Sequence, residues 1–136
     1  MRSLAIVVAA VSLSSCKGES FPVVPCEIEG QLAFKLGKLG HWFGIIRSGP
    51  EVSSIWLVVP FKEALWRVNP DLDASQKRRT LIRYGQELEG TKLSTPAKPL
   101  TKGVKYRVQF STGPNDGMAD FTYGAPLPQC SAVRLD

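Results

Sequence analysis

Any histidine-dependent catalysis in this 136-residue chain would have to rely on a single residue, His41. One imidazole cannot form a histidine pair around a metal or a relay between two histidines, so we interpret His41 as a surface or packed side chain. No Gly-x-Ser-x-Gly sequence displays a serine at a strand-to-helix turn. Ser48 is explained by the turn that Gly49 and Pro50 predict. No histidine- or serine-based catalytic set is predicted.

Pairs of carboxylates can catalyse glycoside hydrolysis without a histidine. Glu27 and Glu29 are two residues apart on a predicted strand, which places both on its polar, solvated face. Glu87 and Glu89 fall in a predicted loop. Neither pair has the neighbouring apolar residues that a carboxylic general acid requires. These carboxylates therefore do not indicate an active site.

The spacing of Asp71, Asp73 and Ser75 follows the start of a calcium-binding loop. The pattern fails further along, because position six is Gln76 rather than glycine and position twelve is Ile82 rather than glutamate. Glycine-rich phosphate-binding loops are absent from the sequence as well. We therefore expect no metal site and no cofactor.

The net charge of +5 comes from 17 lysines and arginines against 12 acidic residues. Most basic residues are scattered along the chain, and Lys77, Arg78 and Arg79 form one short run. The first interpretation of this run is a solvated loop. The functional alternative is contact with an anionic surface, such as lipid headgroups, a cell-wall polymer or the acidic face of a partner protein.

The first sixteen residues predict export from the cytoplasm. Arg2 precedes an apolar run from Leu4 to Leu13, and two serines then lead to Cys16. A basic start, a short apolar stretch and small residues before a cleavage site are the parts of a secretory signal peptide. The run is too short to span a bilayer, which takes about 20 residues in a helix. We expect residues 1–15 to be the signal peptide; a buried core helix is the alternative.

The sequence Leu13-Ser14-Ser15-Cys16 resembles the lipobox of bacterial lipoproteins, in which an aliphatic residue and two small residues precede a modified cysteine. The resemblance implies that Cys16 carries a thioether-linked diacylglycerol and anchors the mature protein in a membrane. Several acyl chains make such an anchor stable, at ~0.8 kcal/mol for each buried methylene. By the sorting rule of Gram-negative lipoproteins, Lys17 implies the outer rather than the inner membrane. Residues 16–25 are then the lipidated terminus and tether of a periplasm-facing domain.

The other two cysteines are interpreted in the light of this resemblance. If Cys16 is lipidated, Cys26 and Cys130 remain as an even pair in an oxidising compartment. A disulfide between them would close a loop of about 100 residues and stabilise the fold by ~4.7 kcal/mol in the chain-entropy model. Two free thiols in a catalytic or metal site are the alternative. The sequence has no Cys-x-x-Cys motif, and its one histidine cannot complete a zinc site.

Alternating apolar and polar residues predict an all-β chain with about seven short strands. The period of two begins at Cys26 and continues as one half-buried strand to Leu36. Residues 52–59 are apolar on both faces, which predicts a central strand covered on both sides. We therefore predict one antiparallel β-sandwich domain over residues 26–136.

The second half of the chain carries the clearest alternation, at residues 104–110. Residues 86–99, rich in glycine and proline, are expected to form a loop. The three tryptophans, Trp42, Trp56 and Trp66, are expected to lie in the core more often than on a ligand platform. Trp42, beside glycines, is the one most suited to exposure.

The stretch from Leu100 to Val108 resembles the entry to strand F of fibronectin type III domains, where a leucine, a glycine and a tyrosine recur at these spacings. The resemblance implies that Tyr106 forms a tyrosine corner, in which the hydroxyl bonds to backbone upstream. The Leu65-Trp66 pair followed by Asn69-Pro70 is similar to that family's early tryptophan strand. The match covers about residues 64–123, and the first half of the chain departs from the family by holding more strands.

These observations together predict a lipid-anchored, non-enzymatic binding or accessory module of the cell envelope. The Ile-Arg-Tyr-Gly sequence at Ile82, with the later Pro-Ala-x-Pro-Leu-x-x-Gly-x-x-Tyr, also resembles a class of bacterial lipoproteins, which implies no activity. The expected partners are the membrane and an envelope protein or anionic polymer, and nucleic acid is not expected for an exported protein. The alternatives are an envelope enzyme built from scattered residues such as Glu27, Asp71 and His41, or a purely structural component.

Overall fold

The computed structural model describes residues 20–38, 49–60 and 62–135, and these residues form eight strands. The strands are β1 Val23–Ile28, β2 Gln31–Leu36, β3 Ser54–Val58, β4 Ala64–Pro70, β5 Leu81–Arg83, β6 Thr91–Thr95, β7 Lys105–Ser111 and β8 Asp116–Thr122, with a short 3-10 helix at Cys130–Ala132. Within these ranges no helix has the length and apolar character needed to cross a membrane. Several residues singled out by the sequence lie outside the described ranges: the signal peptide, Cys16, His41, Trp42 and Ser48.

Two antiparallel sheets confirm the predicted β-sandwich. One has the strand order β1-β2-β5 and the other the order β6-β4-β3-β7-β8. The β1-β2-β5 order corresponds to neighbouring strands A, B and E of immunoglobulin-like sandwiches, and β3-β7-β8 to strands C, F and G. β6 is a further strand at the β4 edge. The tryptophan strand, β4, therefore lies in the larger sheet and is not an early strand of the sandwich.

The stretch predicted as one strand from Cys26 to Leu36 is a hairpin. Ile28 pairs with Gln31, so the chain reverses over Glu29 and Gly30, which have φ values of 51° and 75°. Two central residues with positive φ form a type I′ turn, whose twist matches that of the flanking strands. The prediction was wrong because the usual Asn-Gly or Asp-Gly signature of this turn is missing.

The sandwich also begins earlier than residue 26, inside the predicted tether. β1 starts at Val23, and both Val23 and Phe21 are buried in the main core. The Phe21 ring lies so close to Gly117 of β8 that a Cβ at that position would clash with it. The peptide nitrogen of Phe21 donates to the carbonyl of Asp116 over 3.2 Å, which holds the start of the domain on β8.

The main core lies between the two sheets and is centred on Phe34 of β2. Its ring packs edge-to-face on Phe110 of β7, at 5.5 Å between centroids, and on Phe121 of β8, at 5.7 Å. Such aromatic pairs contribute about 0.5–1.5 kcal/mol beyond the area they bury. The contact therefore joins the small sheet to two neighbouring strands of the large sheet.

β3 is central in its sheet, as predicted, but it is not covered on both faces. Ile55 and Leu57 are fully buried, whereas Trp56 between them is 46% exposed on the outer face. Trp66 of β4 is fully buried, as expected of a core tryptophan. The region expected to be a loop, residues 86–99, contains β6. β6 is an edge strand whose side chains are mostly exposed. It therefore needs no alternation of apolar and polar residues, and the sequence carries no signal of a strand here.

The C-terminal segment is fastened to the outer face of the smaller sheet. Cys26 and Cys130 form a disulfide across a separation of 104 residues, which confirms the predicted pairing. The Lys35 ammonium donates to the carbonyls of Cys130, at 3.0 Å, and Val133, at 2.7 Å. The peptide nitrogen of Glu27 donates a hydrogen bond to the carbonyl oxygen of Pro128 over 2.9 Å. This face of the sheet is thereby covered without a further sheet.

Replacing Glu29 with asparagine is expected to stabilise the protein. Glu29 is the one described non-glycine residue with positive φ, and asparagine adopts this conformation more readily. Urea denaturation should show the free energy of unfolding of Glu29→Asn raised by roughly 0.5–1 kcal/mol. Glu29→Gln, which removes the charge without changing the backbone preference, should match the wild type. Equal stability of the asparagine variant and the wild type would contradict strain at this turn.

Removing the disulfide is expected to destabilise the fold strongly. The Cys26→Ala, Cys130→Ala double variant should lose roughly 2–5 kcal/mol of unfolding free energy, because the unfolded chain is no longer constrained by a long closed loop. The measurement is urea denaturation with and without a reducing agent. Wild type should lose stability on reduction while the double variant does not change. An unchanged wild-type midpoint under reduction would show that the bridge does not stabilise the fold.

Candidate functional site

A groove of about 620 Å³ opens where the β1–β2 turn approaches the segments before β7 and after β8. Its volume is in the range of small-ligand sites, about 300–1,000 Å³. Leu32, Leu100 and Tyr123 supply apolar surface, and Glu27 and Lys102 supply one charge of each sign. The groove can therefore hold a ligand of mixed polar and apolar character.

Tyr84 forms part of the groove and is held firmly on both sides. Its ring packs edge-to-face on Trp66, at 5.3 Å between centroids, and its hydroxyl donates to the carbonyl of Lys98 over 2.6 Å. Burial raises the pKa of Tyr84 to about 12, with a smaller contribution from Tyr106. The phenol therefore stays protonated near neutral pH and cannot act there as a general base.

Tyr106 lies behind the groove wall, buried in the core. The peptide nitrogen of Thr101 donates to its hydroxyl over 2.8 Å, a bond to backbone five residues upstream. This is the geometry that the resemblance to strand F implied, with the hydroxyl as acceptor. The Tyr106 ring also packs on Phe121, at 5.9 Å between centroids. The bond fixes the turn that contributes Leu100 and Lys102 to the groove.

The Lys77-Arg78-Arg79 run is partly neutralised by carboxylates that are distant in the sequence. Lys77 pairs with Glu89, and Arg78 lies 3.5 Å from Glu51. The hydrogen bond from Lys77 lowers the pKa of Glu89. Arg79 makes no ion pair within the described ranges. The run is therefore a weaker anionic-surface site than the sequence alone predicts.

The outer face of the larger sheet carries a row of side chains that sequence reasoning missed. In register across five strands stand Met118, Gln109, Trp56, Arg67 and Thr95, called here the Trp56 row. The Arg67 guanidinium carbon lies 4.7 Å from the centroid of the Trp56 ring. Residues 55–59 are all apolar, so the sequence shows no alternation of apolar and polar residues here. Without that alternation, the outward position of Trp56 between Ile55 and Leu57 could not be predicted.

The residues considered for an enzyme are not brought together where the structure describes them. Glu27 lines the groove, whereas Asp71 follows β4 and lies 3.6 Å from Lys92. Residues 20–38, 49–60 and 62–135 contain no group of three histidine, cysteine or carboxylate side chains that could hold a metal.

Comparison with known proteins adds no assignment. Neither a family model, nor a curated protein, nor a solved structure matches the chain.

Tyr84 is expected to make stability pH-dependent in alkaline solution. Its pKa is about 12 in the folded protein against an ordinary value of 10.0, so above pH 10 the unfolded chain loses the phenolic proton first. The free energy of unfolding should therefore decrease as the pH rises from about 10 towards 12. Denaturation across this range should show a shallower decrease for Tyr84→Phe. Identical slopes for Tyr84→Phe and the wild type would contradict this role of Tyr84.

Proposed function

We propose that this chain is a lipid-anchored protein of the cell envelope that faces the periplasm and acts as a non-catalytic binding or accessory module. The Cys26–Cys130 disulfide carries this proposal. Disulfides persist in oxidising compartments such as the bacterial periplasm and are rare in the cytosol. Because the chain has three cysteines and two of them are joined, Cys16 is left as the single cysteine for acylation. This arrangement supports the lipobox interpretation of residues 13–16.

The position of Phe21 supports a domain held near the membrane surface. Since Phe21 is already part of the core, only residues 17–20 separate the sandwich from Cys16. The five steps of chain between Cys16 and Phe21 span at most about 18 Å. The domain would therefore act close to the lipid headgroups. The outer membrane remains the proposed location, on the basis of Lys17.

The chemistry of the groove supports binding rather than catalysis. Its described lining offers one carboxylate, on Glu27, and one ammonium, on Lys102, together with the phenols of Tyr84 and Tyr123. Catalysis by a nucleophile requires a base within hydrogen-bond reach, and Tyr84 uses its hydroxyl to bond a backbone carbonyl. These groups fit recognition of a ligand by charge and by apolar contact.

Replacing Cys16 with serine tests the anchor. Cells producing the wild type should incorporate labelled palmitate into the protein, which should fractionate with membranes. Cys16→Ser should lose the label and leave the membrane fraction, because no thiol remains for thioether formation at the lipobox. The Cys26→Ala, Cys130→Ala double variant is the matched control and should keep the label. Persistent labelling of Cys16→Ser, or an unlabelled wild type, would overturn the proposal.

A further inference from the structure

We propose that the outer face of the five-stranded sheet binds an acidic saccharide, with Trp56 stacking on a sugar ring and Arg67 binding a carboxylate. The inference rests on the proposed binding role but not on the anchor. It assigns the contact with an anionic polymer to the Trp56 row instead of the Lys77-Arg78-Arg79 run.

The indole of Trp56 is presented to solvent by the central strand of the sheet. β3 is hydrogen-bonded on both sides, to β4 and β7, and its neighbouring residues Ile55 and Leu57 are fully buried. The backbone therefore fixes an outward position for Trp56. The cation–π contact with Arg67 further orients the ring. A large aromatic surface in a fixed orientation can stack on a planar apolar ligand surface without ordering a flexible segment.

Arg67 makes no ion pair in the described ranges, a property it shares with Arg79, but unlike Arg79 it lies against the exposed indole of Trp56. Lys77, Arg78, Lys92 and Arg107 each lie within 4 Å of a carboxylate, whereas Arg67 pairs with none in the described ranges. Its Nε is also buried without a hydrogen-bond partner among those residues. The buried Nε is out of a ligand's reach, so the two terminal nitrogens of the guanidinium are the donors that can bind a carboxylate by two parallel hydrogen bonds. Arg67 therefore indicates an anionic group on the ligand.

Polar groups beside Trp56 favour a saccharide. A depression of about 230 Å³ adjoins the indole, lined by Ser54, Gln109, Ser111 and Asp116 among others. Their hydroxyl, amide and carboxylate groups can donate to or accept from sugar hydroxyls. A pyranose ring has an apolar C–H face for the indole and hydroxyls around its rim for these groups. The apolar face and hydroxyl rim of a pyranose therefore match the Trp56 indole and the polar side chains beside it.

The size and composition of the face disfavour a folded protein partner. Five strands at ordinary spacing make the face about 19 Å wide, and seven residues make it about 23 Å long, or roughly 440 Å². Stable protein interfaces bury roughly 800 Å² on each partner and have an apolar centre. Among the described residues, Trp56 and Met118 are the large apolar side chains exposed on this face. A narrow polar polymer requires neither more area nor more apolar surface.

The charge of the face agrees with an acidic ligand. Its outward positions carry the cations Arg67, Lys92, Lys105 and Arg107, against the carboxylates Asp116 and Asp120. Asp120 accepts two hydrogen bonds from Arg107, at 2.7 and 3.1 Å, so its charge is locally compensated. Lys92 is likewise compensated by Asp71, at 3.6 Å, so Arg67 and Lys105 against Asp116 leave a small positive excess. This excess attracts an acidic chain from solution.

The test is a titration of the purified full-length chain with trigalacturonate and, separately, with its neutral methyl ester. The expected readouts are a shift of the Trp56 indole N–H resonance in the NMR spectrum and a Kd in the millimolar range or tighter. Trp56→Ala should abolish binding of both ligands. Arg67→Met should weaken trigalacturonate binding at least tenfold and leave binding of the ester within threefold, because only the acid needs the guanidinium.

Lys77→Ala, which removes a cation outside this face, is the matched control and should bind within threefold of the wild type. Thermal unfolding of each variant checks that a loss of binding is not caused by a loss of folding. The indole shift is also measured on the wild type, so this readout does not depend on any variant folding.

No binding of either ligand by the wild type, or undiminished binding by Trp56→Ala, would overturn the proposal. Equal affinity for acid and ester would overturn the role of Arg67. Binding to phosphatidylglycerol vesicles through Trp56, without saccharide binding, would assign the face to lipid instead. Palmitate labelling is unaffected by any of these results, so failure here is distinguishable from failure of the anchor.

Discussion

The inward position of Phe34 is the constraint on which the rest of the structure depends. Its ring bridges the two sheets by contacting Phe110 and Phe121 of neighbouring strands. Because side chains alternate along a strand, a shift by one residue would move every apolar side chain to the wrong face. Fixing Phe34 inward places Ala33 and Lys35 outward. Those two positions form the surface on which the C-terminal segment lies.

The outward face of β2 explains why a disulfide and a lysine are found together. Ala33 is small enough to leave room for the Cys26–Cys130 bridge, and the three residues form a separate buried cluster. Lys35, next but one along the strand, donates to the carbonyls at the end of the chain. The inner face of the three-stranded sheet packs on the main core. Without the C-terminal segment, its outer face would be exposed to solvent. The disulfide and the Lys35 ammonium hold the C-terminal segment, from Pro128 to Val133, against this face.

The same alternation on the larger sheet separates core from candidate binding surface. Ile55 and Leu57 point into the core, so Trp56 must point out, where Arg67 of the adjacent strand stacks on it. The basic run in the sequence, by contrast, is offset by Glu51 and Glu89, which the fold brings from distant parts of the chain. The fold thus redistributes the positive charge, because two cations of the run are paired while Arg67, which stands alone in the sequence, has no carboxylate partner in the described ranges.

Local patterns in the sequence were sufficient to predict the all-β class and the regular alternation of β7, because side-chain period is a property of the chain before it folds. The pairing of Cys26 with Cys130 was predicted through the lipobox resemblance of residues 13–16, which sets Cys16 apart and leaves an even pair. The hairpin at Glu29, the strand β6 and the exposure of Trp56 were decided by tertiary structure. A glutamate adopts positive φ only where paired strands enforce it, and an edge strand needs no apolar face. Whether an apolar side chain is buried depends on which sheet face meets another, and that is set by contacts between residues far apart in the chain.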